Sequence, residues 1–182
     1  MRKSNTSAVV IIPPKTKWAP IQEIRKKYDR HINNWMPHIT LLYPFVIEDE
    51  YTIVEKEFSK KCSEIKPFEI TLNTFHYFSH KRQQYTMWLK PDPINLIKIL
   101  QAQILKIVPE CNDVNKLKNG FSPHLSVGQI TGKNKLKNVI KDLQNNWTIV
   151  TYQIQKIYFI SRKKSKTSRF EIIKQFNFKQ NN

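Results

Sequence analysis

Two pentapeptides constrain this chain more than any other feature. Pro37-His38-Ile39-Thr40-Leu41 and Pro123-His124-Leu125-Ser126-Val127 share one pattern: proline, histidine, aliphatic, hydroxyl, aliphatic. Only five histidines occur in 182 residues, and two of them fall in these matching segments. On a strand, residues two apart point to the same face. His38 should therefore project with Thr40, and His124 with Ser126, while the aliphatic residues between them pack behind. A chain that carries the same short strand twice is expected to fold as two related lobes, with the two strands side by side.

The order of elements around the motifs also repeats. Residues 7–12 read as a buried strand closed by Pro13-Pro14, and 18–28 as a helix with Ile21, Ile24 and Tyr28 on one face. A strand at 39–43 and a helix at 50–65 follow, then an alternating strand from 68 with a hairpin partner at 85–90. The second round has a helix opening at Pro93 and ended by Pro109, a polar loop at 110–121, a strand at 125–129 and a helix at 135–144. A long strand at 147–161 comes next, whose apolar phase flips between Ile154 and Ile157 and predicts a bulge. A basic turn at 162–169 and a last strand at 170–178 complete the round. Each half thus holds a helix, a short strand, a helix and a hairpin. The expectation is an α+β fold in one domain over 1–182. Two interleaved lobes related by a pseudo-twofold axis, with an N-terminal half of about 1–90 and a C-terminal half of about 91–178, would line a central cleft with antiparallel sheets and keep helices outside.

Composition narrows the function. Three glycines leave no glycine-rich phosphate loop, and neither a Walker pattern nor GxGxxG is present. Lys and Arg total 31 against 14 acidic residues, a formal charge of +17 that suits a polyanion. Surface lysines replacing other polar residues give the same excess, so charge alone does not select a ligand. Cys62 and Cys111 lack CxxC spacing and read as buried thiols in a reducing compartment, with no disulfide. His31, His76 and His80 have no partner motif, and no spacing supports a zinc site built from His76, His80 and a cysteine. The apolar stretch 8–12 is too short for a signal core, and nothing approaches the roughly 20 residues of a membrane span. A soluble cytoplasmic or nuclear monomer without cofactors, metal or membrane partner is expected.

Two imidazoles and two hydroxyls gathered at one point suit a phosphodiester. A neutral imidazole can take a proton from water while a protonated one gives a proton to the leaving oxygen. The Thr and Ser hydroxyls can hydrogen-bond the non-bridging oxygens. The sequence resembles the 2H phosphoesterase superfamily, which includes RNA 2′,3′-cyclic phosphodiesterases, bacterial 2′-5′ RNA ligases and 2′-5′ oligoadenylate-degrading enzymes. The resemblance runs through residues 37–45 and 121–129, with family-like stretches at 87–91, 108–111 and 159–162 between and beyond them. It implies the bilobal fold, metal-free catalysis, and opening of cyclic phosphates at RNA ends or on small nucleotides to 2′-phosphates. Cleavage of 2′-5′ bonds, in oligoadenylates or cyclic signalling nucleotides, and RNA binding without catalysis are the alternatives.

Ser126 stands where many members carry Thr, and Gln129 where some RNA-processing members carry Arg. Beside the four motif residues, Tyr43, Gln129 and Arg162 are the candidate substrate contacts. Tyr43 could stack on a base or close the core. Arg162 could bind phosphate, and the lysine run 163–166 could track an RNA backbone or be a solvated turn.

Overall fold

Apolar residues spaced three and four apart give each helix one buried stripe. Those alternating in twos give the strands a buried face. The computed structural model describes residues 1–116, 120–165 and 167–180. In chain order it runs β1 (Lys3–Ser4), β2 (Ser7–Ile11), α1 (Trp18–Tyr28), β3 (Ile39–Leu42), β4 (Phe45–Val46) and α2 (Tyr51–Glu64). Then come β5 (Phe68–Ser79), β6 (Gln84–Asp92), α3 (Ile94–Leu105), β7 (Leu125–Thr131) and α4 (Lys133–Asn146). The chain closes with β8 (Val150–Ile154), β9 (Lys156–Ser161) and β10 (Glu171–Asn177). Eight strands form one antiparallel sheet in the order β10-β9-β2-β3-β7-β6-β5-β8, and β1 pairs separately with β4.

The sheet is a palindrome about the β3–β7 seam. β2-α1-β3-α2 on one side corresponds to β6-α3-β7-α4 on the other, which makes the α+β architecture bilobal. The seam itself is thin: Ile39 opposite Leu125 is the one residue pair that joins β3 to β7. Helices bridge it instead, α1 lying against β7 and α3 against both β3 and β6. Farther out, α2 covers β10, where Phe58, Phe159 and Phe176 interlock. On the other side α4 covers β5 and β7.

One expectation is corrected. The long strand at 147–161 is two strands. β8 pairs with β5, while β9 pairs with β2 and β10 in the opposite lobe. The flip of apolar phase after Ile154 marks the chain changing lobes at Gln155, so it is a crossover and not a bulge. The two lobes interleave along the chain. One is built from β2, β3, β9 and β10 and the other from β5 to β8. Each half's hairpin therefore joins the other half's short strand. Local periodicity could specify both hairpins but carries no information about which short strand they sit beside.

The expected loop at 110–121 contains two 3₁₀ turns, Pro109–Cys111 and Asp113–Lys116, and its residues 117–119 lie outside the described residues. No helix among the described residues is long and apolar enough to cross a membrane.

Candidate active site

The register at the seam decides what meets there. With Ile39 opposite Leu125, one further step in an antiparallel pair sets His38 across from Ser126 and Thr40 across from His124. Ile39, Leu41, Leu125 and Val127 are buried, whereas His38, Thr40, His124 and Ser126 are half-buried on the opposite face. By this register the four motif residues gather on one face at the seam, with His124 near enough for its charge to act on His38. His38 and Ser126 line the same cavity of about 180 Å³.

Both imidazoles are held identically. His38 Nδ1 lies 2.7 Å from the Met36 carbonyl, and His124 Nδ1 lies 2.7 Å from the Ser122 carbonyl. A carbonyl can only accept, so each Nδ1 carries the proton and each Nε2 is left for chemistry. The motif prolines account for this geometry. A residue before proline is pushed to extended backbone, and here its carbonyl meets the ring two residues on.

Burial lowers both histidines from their ordinary pKa. His38 falls to about 4, mainly through desolvation, with Arg25 and His124 adding positive neighbours against a favourable bond to Met36. His124 is lowered by desolvation, opposed by its bond to Ser122.

Aromatic rings wall both sides. Trp35 stacks on His38 with ring centroids 4.8 Å apart, Phe170 stacks on Trp35 at 3.7 Å, and the Arg162 guanidinium lies over Phe170 at 5.2 Å. Across the cleft, Phe78 and Trp88 meet His124 edge-on at 4.9 and 5.8 Å, and His76 stacks on Trp88 at 4.9 Å. Beneath the His38 wall lies a buried ion pair. Arg25 bonds Asp29 at 2.9 Å with both side chains under 5% exposed, and Arg25 also donates to the Trp35 carbonyl at 2.9 Å. Asp29 in turn accepts the His31 N–H. This pair ties the 30–36 segment, with Trp35 and Met36, to the end of α1.

The other sequence-predicted residues divide. Arg162 and Tyr43 stand on the His38 side. Tyr43 is edge-on to Trp35 at 5.9 Å, and its hydroxyl donates to the Asn5 carbonyl at 3.1 Å. Tyr43 is therefore one ring removed from His38, packed in the small cluster that floors this side of the cleft. Gln129 accepts the Arg30 N–H at 3.2 Å and donates to Asp29 at 3.3 Å, which makes it a strap between β7 and the end of α1. It still lines the cavity at His38. Of the 163–166 lysine run, Lys163 and Lys164 are exposed and Lys166 lies outside the described residues.

His76 and His80 do not form the imagined zinc set. His80 bonds Thr86, and both cysteines are buried in the core. Among the described residues no group of three or more His, Cys, Asp or Glu comes together to hold a metal ion.

Sequence reasoning missed Arg25, Asp29, Trp35, Phe78, Trp88 and Phe170. For the ion pair a signal existed: opposite charges at i and i+4, each beside a residue of α1's apolar stripe.

Comparison with known proteins identifies the family and the fold. A family described as the 2′-5′ RNA ligase superfamily matches residues 13–166. A Geobacillus kaustophilus protein named "Putative phosphoesterase GK0864" is 30% identical over 122 residues, 66% of this chain and 67% of that one. An Oceanobacillus iheyensis protein, "Putative phosphoesterase OB1230", is 26% identical over 138 residues, 75% and 77% of the two chains. E. coli LigT, crystallised with phosphate, superposes with a TM-score of 0.63 at 14% identity, covering 98% of this chain and 100% of that one. Thermus thermophilus TT0787 gives 0.61 at 15% identity, covering 94% and 97%. Its matched span, its duplicated fold and its paired histidine motifs make this chain a member of the 2H phosphoesterase, or 2′-5′ RNA ligase, superfamily.

Proposed function

We propose that the chain is a metal-independent phosphodiesterase that opens 2′,3′-cyclic phosphates at RNA ends or on small nucleotides, leaving a 2′-phosphate. The observation that carries this reading is the matched anchoring of His38 and His124, which leaves two Nε2 atoms facing one cleft beside Thr40 and Ser126. His38 has Arg25 as an added positive neighbour and serves as the base. Its Nε2 takes a proton from water as the water oxygen bonds to phosphorus. The bond from phosphorus to O3′ breaks, and protonated His124 gives its Nε2 proton to O3′, leaving a free 3′-hydroxyl and a 2′-phosphate. The anionic phosphate favours the protonated form of the ring it meets. Thr40 and Ser126 donate hydrogen bonds to the non-bridging oxygens, where charge gathers. Arg162 and the aromatic wall of Trp35 and Phe170 hold the nucleotide on the His38 side. That E. coli LigT was crystallised with phosphate and with 3′-AMP fits a phosphate-reading cleft in this fold.

The test is incubation in EDTA with a nucleoside 2′,3′-cyclic phosphate and, separately, a 2′-5′ oligoadenylate, with products resolved by chromatography. Conversion of the cyclic substrate to the 2′-phosphate is expected. Cleavage of the oligoadenylate alone would overturn the cyclic-phosphate assignment, and activity lost in EDTA but restored by zinc would overturn metal independence.

A further inference from the structure

A second hollow, of about 760 Å³, opens beyond Gln129. Lys27 in the last turn of α1, Arg30 just after it, and Lys135 in the first turn of α4 line it. His80 and Thr86 line it from the β5–β6 hairpin. None of the described residues lining it is acidic. Lys27, Arg30 and Lys135 are exposed, and among the described residues none of them is in an ion pair with a carboxylate. Gln129 is common to this hollow and to the smaller cavity at His38 and Ser126. It stands three positions along β7 from Ser126, roughly 10 Å at the rise of a strand. The basic hollow thus adjoins the candidate active site at Gln129, roughly 10 Å along β7 from Ser126 by that same rise.

We infer that this hollow takes the phosphodiester backbone of a single-stranded RNA whose end lies between His38 and His124, so that a polynucleotide end is the preferred substrate over a free mononucleotide. This rests on the reading of the histidine pair as an RNA-end phosphodiesterase and adds the substrate class. A mononucleotide bound at the histidines does not extend to Lys27 or Lys135, whereas a strand leaving the cleft past Gln129 brings its next phosphates to them. Each phosphate neutralised releases counterions, which drives binding and makes it depend on salt. Thr86 and Gln129 supply neutral hydrogen-bonding groups of the kind that position a sugar-phosphate chain without reading its bases. The chain's overall charge is not the argument. Lys56 and Lys60, for example, sit exposed on α2, whereas Lys27, Arg30 and Lys135 converge on one hollow that shares a wall with the site.

The experiment compares kcat/KM for a mononucleoside 2′,3′-cyclic phosphate and for a single-stranded oligoribonucleotide ending in the same group, across a salt series. The proteins are the wild type, Lys27→Gln/Lys135→Gln, and Lys56→Gln/Lys60→Gln as a matched control. The wild type should favour the oligonucleotide. The Lys27/Lys135 variant should narrow that preference and make the logarithmic salt slope shallower by about 0.7 per lysine removed. The mononucleotide rate should not change, and the control should behave as wild type. An equal loss on both substrates, no loss on either, or the same loss in the control overturns the inference. In parallel, the Kd of a labelled strand ending in a 2′-phosphate is measured by fluorescence anisotropy. If the wild type opens neither cyclic substrate, the catalytic reading falls by itself. The Kd then decides the hollow: weaker binding confined to Lys27→Gln/Lys135→Gln upholds RNA there, and unchanged binding removes it.

Discussion

Pro37 and Pro123 do more at the residue scale than end a segment. Each sets the preceding carbonyl against its histidine's Nδ1, at 2.7 Å in both motifs, so the two rings share one tautomer and expose the same nitrogen. Desolvation then lowers both rings below the ordinary value of 6.5. Catalysis of the proposed kind needs one ring neutral and one protonated in the free enzyme, a form populated between the two lowered values. The profile of kcat/KM should therefore be a bell with its maximum on the acid side of 6.5, falling as pH rises beyond it. A rate that climbs steadily from pH 6.5 to 8 would contradict this. The same shift acts on stability. His38 titrates near 4 when folded, so the unfolded chain binds that proton first as pH drops. Stability contributed above pH 6.5 should be lost as pH falls toward 4, and His38→Gln should flatten that part of the Tm profile. The motif residues themselves were legible in the sequence because they repeat. Trp35, Phe78, Trp88 and Phe170 were not, since aromatic residues on strands and loops look alike until the sheet order brings them against the imidazoles.

Among the elements, α1 has the largest part in positioning the site. Its end is held to β7 by Gln129 and by close packing at Gly128, where an added Cβ would stand 2.4 Å from the Tyr28 Cβ. The backbone there also has a φ of +156°, which L side chains rarely adopt. Gly128→Ala should cost about 1–3 kcal/mol of stability through this overlap, read as a lower Tm. An unchanged Tm would mean that α1 can shift without penalty. The Arg25–Asp29 pair gives a second measure. Asp29→Ala leaves a buried guanidinium without its partner and should cost about 3–5 kcal/mol. Replacing both residues with apolar side chains of similar size should cost less than the single change. Denaturant unfolding of the two variants distinguishes these outcomes. Helix and strand periods gave nearly all the elements within a few residues, because each buries one regular stripe. What they could not give was partnership across the sheet. The phase flip after Ile154 was visible in the sequence, yet only the pairing of β8 with β5 and of β9 with β2 identifies it as a crossover.

The whole molecule is a duplicated unit whose lobes exchange hairpins, so neither lobe is a continuous piece of chain. That exchange brings two sequence-distant motifs to one seam joined by a single residue pair. The central claim is that His38 and His124 together perform the chemistry there. It is tested most directly by the rate of opening of a nucleoside 2′,3′-cyclic phosphate by the wild type, the His38→Ala and His124→Ala single variants, and the double variant, each verified as folded by circular dichroism. The account predicts a loss on the order of 10²-fold or more in each single variant. It also predicts a double variant that loses far less than the product of the two, because residues acting as a unit are not additive. A double variant that opens the cyclic phosphate at the wild-type rate would contradict it.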